Sequence, residues 1–150
     1  MQITNIPKNH PISEALGTLD ELNAFLGDAK AACNDGCETA EIIEGIQKDL
    51  YKLMGYLAGV KPSQAGVEQM KDENNRLCVL IEKLKSELPS LTGFVIPGKN
   101  PVSAKLHIAR TVCRRAERRL LDIKFENEYL NQLSKLLFLL AQKNEEGIDF

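Results

Sequence analysis

Five arginines fall within ten residues of this chain, and their spacing determines the chemistry that they could do. On a helix, Arg110, Arg114 and Arg118 follow one another at i, i+4 and i+8, so they share one edge. Arg115 and Arg119 complete the set. Guanidinium groups are planar and permanently charged, which suits them to hold a phosphate-rich ligand or a carboxylate on a neighbouring element.

The apolar residues of the same segment place this arginine edge beside the core. They recur at every third or fourth position, as on the buried face of a helix: Leu106, Ala109, Cys113, Ala116 and Leu120. The edge therefore borders the core and does not point wholly into water. The alternative interpretation is a solvated face on which the arginines pair with Glu117 and Asp122, and the charge pattern alone does not separate the two.

Length and composition are those of an ordinary globular protein. With 150 residues, 43% hydrophobic and 27% charged, the chain is predicted to form one helical-bundle domain over residues 1–150, in which residues 1–10 are an irregular tail. The net charge of −2 argues against nucleic acid or an anionic membrane as a partner. The longest apolar run covers only residues 136–141, so a soluble, cytoplasmic protein is expected.

The four cysteines are not arranged as the paired C-x-x-C ligands of a zinc site. Cys78 and Cys113 fall within helical patterns, at positions predicted to be buried. A metal or disulfide role is open for Cys33 and Cys37, which flank Asn-Asp-Gly, but reduced thiols are the rule in a cytosolic chain. No metal site is therefore predicted.

Apolar residues at helical spacing predict five amphipathic helices, separated by segments that contain glycine or proline. Their predicted spans are about 11–34, 38–60, 66–88, 101–124 and 126–146. No strand pattern competes with them. The predicted fold class is all-α, an antiparallel five-helix bundle of the ferritin-like type, which can hold a ligand inside the bundle or at a subunit boundary.

One extended connection, between Pro89 and Pro101, separates the third and fourth predicted helices. Phe94 lies on it and could either fill the core or line a pocket; packing into the core is the prediction. On the fourth helix, the single histidine His107 is predicted to be a packed residue and not a catalyst. His10, in the tail, belongs to no pattern.

Three segments together resemble the ATP:cob(I)alamin adenosyltransferases of the PduO type. The first, Gly17-Thr-Leu-Asp-Glu-Leu-Asn-Ala-Phe-Leu-Gly27, is similar to the family's G-T-x-D-E-L-N block. The second is Phe94-Val-Ile-Pro-Gly98 followed by Leu106-His-Ile-Ala-Arg-Thr-Val-Cys-Arg-Arg-Ala-Glu-Arg118, similar to F-x-x-P-G and L-H-x-A-R-T-V-x-R-R-A-E-R. The third, Tyr129-Leu-Asn-Gln-Leu-Ser134, is similar to Y-L-N-R-L-S. Order and spacing agree over roughly residues 7–148, and the second motif is long and specific.

The resemblance implies a five-helix bundle that assembles as a homotrimer, with active sites at the subunit interfaces. The implied reaction is attack of the reduced cobalt of cob(I)alamin on C5′ of ATP, which yields adenosylcobalamin and triphosphate, with Mg²⁺ on the phosphates. On the corrinoid side, Asp20 and Arg110 would form an ion pair between subunits. Phe94 would crowd the lower face of the cobalt and favour the four-coordinate state from which Co(I) becomes accessible.

On the nucleotide side, the resemblance implies that Arg114 holds the phosphates and that Asn131 hydrogen-bonds the nucleotide. Three further positions match the family motif and would support the same site: Arg115, Glu117 and Arg118. The residue chemistry agrees, because an anionic leaving group calls for fixed cations where charge develops. The reactive atom belongs to the cofactor, so the protein needs no nucleophile or general base.

The chain departs from the family pattern in two places. Members usually begin with a glycine- and threonine-rich segment, approximately T-K-x-G-D-x-G-x-T, whose backbone amides and lysine wrap the triphosphate. Nothing in this sequence matches it, and residues 6–15 align with the stretch that follows it. The usual P-G-G-[ST] is replaced by Pro97-Gly98-Lys99-Asn100. Lys99 and Lys8 are predicted as substitute phosphate-binding residues.

These departures leave several functions open. One is an active adenosyltransferase with an altered phosphate-binding site. Another is a paralogue that binds corrinoid or nucleotide without transferring the adenosyl group. A chain that lacks its natural start, or a purely structural helical assembly protein, are further alternatives. The enzyme is favoured, because a structural bundle has no physical need for the complete set of site residues: Asp20, Phe94, Arg110, Arg114 and Asn131.

Overall fold

The computed structural model describes residues 7–59, 70–91 and 93–146. These residues form five α-helices: α1 (Pro11–Ala32), α2 (Glu38–Gly59), α3 (Lys71–Glu87), α4 (Pro101–Asp122) and α5 (Glu128–Glu146). None of the helices in this part of the chain has the length and apolar character needed to cross a bilayer. Of the predicted tail, residues 1–6 lie outside the described residues, and residues 7–10 form a turn.

Two of the helices begin with a side-chain cap followed by proline at the first helical position. Before α1, the Ile12 amide donates to Nδ1 of His10 over 3.1 Å, so this histidine is the N-cap. Before α4, the Ser103 amide donates to Oδ1 of Asn100 over 2.9 Å. Each cap satisfies an amide that has no partner inside the helix. The start of α4, which carries the arginines, is therefore well defined.

Helix α4 lies at the centre of the bundle, packed along both α1 and α5, while α2 packs on α1 and α3 packs on α5. Helices α1 and α4 are antiparallel, as two ion pairs show. Asp28, near the end of α1, pairs with Lys105 near the start of α4, and Glu14, near the start of α1, pairs with Arg119 near the end of α4. The predicted antiparallel five-helix bundle is confirmed. Its core consists of leucine-rich helix faces, and every position of the predicted apolar face of α4 is buried.

The helix ends differ from prediction by a few residues. Helix α1 ends at Ala32 because Cys33 is extended. Helix α4 ends at Asp122. Two residues later, Lys124 adopts a left-handed conformation (φ 56°), and its amide donates to the carbonyl of Leu121. The Phe125 amide reaches back to the carbonyl of Leu120 over 2.9 Å, which completes a Schellman-type helix end.

Helices α3 and α5 begin later than predicted. Residues 66–69, where α3 was predicted to start, lie outside the described residues. Met70 has a left-handed backbone (φ 71°), so α3 begins at Lys71. Helix α5 begins at Glu128 and not at residue 126, because the Asn127 side chain accepts the Tyr129 amide over 3.0 Å and so stands just before the helix.

Candidate functional site

The arginines of α4 separate onto two edges of the helix. Arg115 and Arg119 face α1, where Arg115 forms an ion pair with Glu21 and Arg119 lies 3.4 Å from Glu14. Lys105 extends this row through its 2.8 Å contact with Asp28. Each of these three cations on the edge that faces α1 therefore pairs with a carboxylate. The alternative interpretation of a salt-bridged face therefore describes this edge, but most of the partners are on α1; of the two predicted partners only Asp122 contributes, 3.7 Å from Arg119.

The other edge of α4 borders a cavity of about 510 Å³ between α3, α4 and α5, which we call the cationic pocket. Four of its lining residues are cations and none is a carboxylate; the lining comprises Lys85, Arg110, Arg114, Ser134, Lys135, Phe138 and Leu139. Cations beside an apolar wall suit an anionic ligand that also carries an apolar part. Arg110 and Arg114 thus lie as the first interpretation of the arginine edge expects, whereas Arg118, the third arginine of that edge, does not line the pocket.

Within the cationic pocket, Arg114 is partly held and partly available. Its Nη1 lies 3.4 Å from Oγ of Ser134 on α5 and 3.8 Å from Oε1 of Glu117 on its own helix. Its side chain is 54% exposed. The Ser134 hydroxyl in turn donates to the Asn131 carbonyl over 3.0 Å. Arg114 is thus oriented from both helices while its guanidinium still faces the open space.

Arg110 is held differently, because no carboxylate among the described residues pairs with it. Its Nε donates to Nδ1 of His107 over 3.4 Å, and its Cζ lies 6.0 Å from the centre of the Phe138 ring. His107 is buried, as predicted for a packed residue. Burial lowers the pKa of His107, the charge of Arg110 lowers it further, and Glu145 opposes this shift. The imidazole is therefore neutral at pH 7.

Asn131 lies in a neighbouring cavity of about 480 Å³, where Glu117, Glu126 and Glu128 contribute carboxylates. Its Nδ2 donates to Oε2 of Glu128 over 3.3 Å. Glu117 lines this second cavity and contacts Arg114, so it connects the two cavities. Of the predicted nucleotide-side residues, Arg114, Glu117 and Asn131 therefore lie near one another between α4 and α5, whereas Arg115 pairs with Glu21 on the α1 edge and Arg118 lines neither cavity.

Asp20 and Arg110 are not brought together within the single chain. Asp20 is exposed on α1 and lines a separate cavity of about 450 Å³, formed by α1 and α2, together with Asn23 and Tyr51. Neither Asp20 nor Arg118 has a hydrogen bond or ion pair in the part of the chain that the structure describes. Oδ1 of Asn23 is buried there without a partner. The predicted pair would have to form between two chains.

The prediction that Phe94 packs into the core is wrong, because its side chain is fully exposed on the loop before α4. Ile96, two residues on, is also exposed. Lys99 does not line the cationic pocket; its Nζ lies 3.7 Å from Glu145. The loop is attached to α5 through Asn100, whose Nδ2 donates to the Asn144 carbonyl over 3.2 Å.

The residues that the sequence did not single out are the two lysines of the cationic pocket. Lys135 stands four residues after Asn131 on α5, so helical spacing could have indicated that they share a face. Lys85 comes from α3, and no sequence signal connects it with α4. Its place in the pocket depends on how α3 packs.

None of the described residues forms a cluster of three or more His, Cys, Asp or Glu side chains suited to a metal ion. All four cysteines are free thiols. Burial and the neighbouring Cys37 raise the pKa of Cys33 to about 11, and burial raises that of Cys113 strongly. Cys78, which was predicted to be buried, is half-buried. The thiols of Cys33 and Cys113 are therefore protonated at neutral pH.

The fold and the site together define a class of protein: an all-α bundle with a cationic pocket between the arginine helix α4 and its neighbours. A sequence profile described as cobalamin adenosyltransferase matches residues 1–144. The chain belongs to the cobalamin adenosyltransferase family.

Individual relatives agree with this assignment. The chain is 34% identical over 150 residues to the corrinoid adenosyltransferase PduO of Citrobacter freundii, covering 93% of this chain and 44% of that protein. It is 35% identical to the human corrinoid adenosyltransferase MMAB, covering 91% of this chain and 60% of that protein. The chain thus spans less than two thirds of the length of both relatives.

A solved structure supports the same assignment at the level of the fold. It is a phenylalanine-to-histidine variant of the PduO-type ATP:corrinoid adenosyltransferase from Lactobacillus reuteri, complexed with cobalamin and ATP. It superposes with a TM-score of 0.82 at 26% identity, covering 94% of this chain and 81% of that one.

Proposed function

We propose that this chain transfers the 5′-deoxyadenosyl group of ATP to the reduced cobalt of cob(I)alamin. The electron pair of cobalt attacks C5′, a Co–C bond forms, the C5′–O bond breaks, and triphosphate leaves with the bonding electrons. The observation that carries the proposal is the cationic pocket, where Arg110 and Arg114 lie with Lys85 and Lys135 and no carboxylate lines the wall.

The groove between α4 and α5 supports the nucleotide part of this proposal. Arg114 is oriented by Ser134 and remains half exposed, so it can stabilise the charge that develops on the leaving triphosphate. Asn131 can donate hydrogen bonds to the nucleoside and accept them from it, and the neighbouring carboxylates Glu117 and Glu128 can accept them. The same oxygen donors suit Mg²⁺, which would be held mainly by the phosphates.

The corrinoid part of the proposal rests on Phe94 and Asp20, which are exposed, and on Arg110, which has no carboxylate partner in the described chain. Phe94 presents a complete aromatic ring to its surroundings, which an apolar macrocycle could cover. Asp20 lacks an ion-pair partner, and Arg110 lacks a carboxylate. In the proposed homotrimer, Asp20 of the partner subunit pairs with Arg110, and the site is complete only at the subunit interface.

Among the described residues, Cys113 and Tyr129 do not offer a competing nucleophile. Burial keeps the pKa of Cys113 high, and the hydrogen bond from Tyr129 to Asp49 raises the pKa of that phenol beyond the effect of burial. Both groups therefore stay protonated. This is what a reaction between two bound cofactors requires, since the protein supplies orientation and electrostatics and the cofactor supplies the reactive atom.

The proposal is tested by following the loss of cob(I)alamin absorbance with Mg-ATP under a strong reductant. The wild-type chain should show an ATP-dependent rate, and Arg114→Ala should lower kcat/KM by about 100-fold or more, since a fixed cation at the leaving group is lost. Arg119→Ala is the matched control, because this arginine lies on the α1 edge of the same helix. No ATP-dependent rate in the assembled wild-type protein would overturn the proposal.

A second candidate is a non-catalytic paralogue that binds corrinoid or nucleotide. The observation that favours it is Lys99, which pairs with Glu145 and so adds no charge to the cationic pocket. Calorimetric titration with Mg-ATP and spectroscopic titration with cobalamin measure binding, and the adenosylation assay measures turnover. Together these measurements separate the two candidates. Binding of either ligand without adenosylation supports the paralogue.

A further inference from the structure

The first turns of α4 and the last turn of α5 meet in a small buried polar cluster next to the cationic pocket. Ser103 and His107 come from α4, and Glu145 comes from α5. His107 is 3% exposed and the Glu145 side chain 8%. Oγ of Ser103 donates to Oε1 of Glu145 over 2.5 Å, and Lys99 approaches the other carboxylate oxygen at 3.7 Å. Glu145 is thus held in place from two sides.

The two nitrogens of His107 have different neighbours: Nε2 is near Glu145 and Nδ1 is near Arg110. Nδ1 accepts the hydrogen bond from Nε of Arg110, which always donates because a guanidinium stays protonated. In a neutral imidazole the proton must then be on Nε2. That nitrogen is buried without a hydrogen bond, and Oε1 of Glu145 lies 3.8 Å from it. Glu145 therefore favours the tautomer in which Nδ1 can accept.

Arg110 gains its orientation from this contact. Nε is the inner nitrogen of the guanidinium, so a hydrogen bond there leaves both terminal nitrogens free to face the cationic pocket. Phe138 packs against both residues: its ring is 5.9 Å from the His107 ring, nearly edge-on at 73°, and 6.0 Å from Cζ of Arg110. In the part of the chain that is described, His107 is the only hydrogen-bond acceptor for Arg110.

We propose that His107, whose tautomer is set by Glu145, is a positioning residue that aims Arg110 into the cationic pocket. His107 itself touches neither substrate. The inference deepens the proposed function, because it assumes that Arg110 acts in that pocket, where its two terminal nitrogens would serve the partner subunit's Asp20 and the bound anion. The physical advantage is preorganisation: a long arginine side chain that is already oriented loses less conformational freedom when an anion binds.

Two amide substitutions separate this role from simple packing. His107→Asn places an amide oxygen close to the position of Nδ1, and so keeps an acceptor for Arg110 while it removes the group that faces Glu145. His107→Gln reaches toward the position of Nε2 and leaves only carbon where Nδ1 was. Both variants are polar and of similar size, so a loss of packing affects them alike.

The direct measurement is the NMR signal of the Arg110 Nε–H group, which exchanges slowly with water when it is hydrogen-bonded. We expect slow exchange in the wild type and in H107N, and fast exchange in H107Q. Binding of inorganic triphosphate, measured by calorimetry, should weaken about tenfold in H107Q and stay within about threefold of wild type in H107N. In an Arg110→Ala background, H107Q should have no further effect, because the side chain that His107 orients is missing.

Equal exchange of the Arg110 signal in H107N and H107Q would overturn the inference, as would an equal loss of triphosphate binding with and without Arg110. These outcomes leave the adenosyltransferase proposal intact, since turnover with ATP is measured separately on the wild-type protein. If the wild type shows the slow Arg110 signal but no turnover, the proposed function fails while the positioning contact stands.

Discussion

Tyr129 on α5 donates a 2.6 Å hydrogen bond to Oδ2 of Asp49 on α2, and the same carboxylate forms an ion pair with Arg76 on α3. Tyr129 and Asp49 are both buried, 80 residues apart in the chain. Three helices, α2, α3 and α5, are thus connected through one carboxylate. A buried carboxylate is tolerated only when it is paired and hydrogen-bonded, which is the case here.

Tyr129→Phe should lower the free energy of unfolding by about 1–2 kcal/mol, because Asp49 stays buried and loses its hydroxyl donor. Urea denaturation monitored by circular dichroism measures the effect. Tyr56→Phe, on α2 and only partly buried, serves as the control and should change stability little. A loss for Tyr129→Phe no larger than that of the control would show that Arg76 alone satisfies the carboxylate.

Stability should decline below neutral pH because of His107. Its pKa is lowered in the folded chain by burial and by Arg110, against the opposing charge of Glu145, which also faces Lys99. The unfolded chain therefore takes up a proton first as the pH falls through the ordinary histidine value near about 6.5, and unfolding becomes progressively more favourable until the lower folded value is reached. Thermal unfolding between pH 8 and pH 5 measures this, and H107N should remove that part of the decline.

Asp20→Asn should leave the stability of the individual chain within about 0.5 kcal/mol of wild type, because Asp20 is exposed and has no ion pair in the described residues. If Asp20 pairs with Arg110 of the partner subunit, the same substitution should lower turnover and weaken assembly in sedimentation experiments. Asp28→Asn is the matched control, since Asp28 pairs with Lys105 of its own chain. Equal effects of both substitutions on assembly would exclude a specific role for Asp20.

Phe94→Ala should not change the melting temperature measurably, because the ring is fully exposed and stabilises nothing within the chain. Under the proposed function it should lower the rate of cob(I)alamin adenosylation, since the ring would no longer crowd the lower face of the cobalt. The melting curve and the spectroscopic assay are run on the same preparation. Unchanged turnover would remove Phe94 from the site.

Lys135→Gln should weaken binding of inorganic triphosphate by about two- to fivefold, and the loss should shrink at high salt because an exposed charge is screened. The lysine lies in the cationic pocket but is exposed, so its contribution is smaller than that of Arg114. Lys48→Gln, an exposed lysine on α2 outside this pocket, is the matched control. Identical binding of both variants would show that Lys135 does not reach the ligand.

The bundle could be predicted from the sequence because helix periodicity is local. The leucines of α5 and the apolar face of α4 recur at three and four residues, and they are buried as that spacing requires. Helix ends were less accurate, since they depend on single backbone conformations such as those of Met70 and Lys124. Phe94 was misplaced for a related reason: an apolar residue on an irregular loop has no periodic partner that would fix its side.

By itself, the sequence determined that α4 carries its arginines on edges beside a buried face, because their spacing on a helix fixes their angular positions. Only the tertiary structure decided which arginines are matched by carboxylates and which face a cavity. Arg115 is paired because Glu21, 94 positions earlier, lies on the helix that packs against its edge. Arg110 and Arg114 face a carboxylate-free pocket because α3 and α5 bring lysines and Phe138 there. Charge compensation depends on neighbours distant in sequence, and those neighbours are set by how the helices pack.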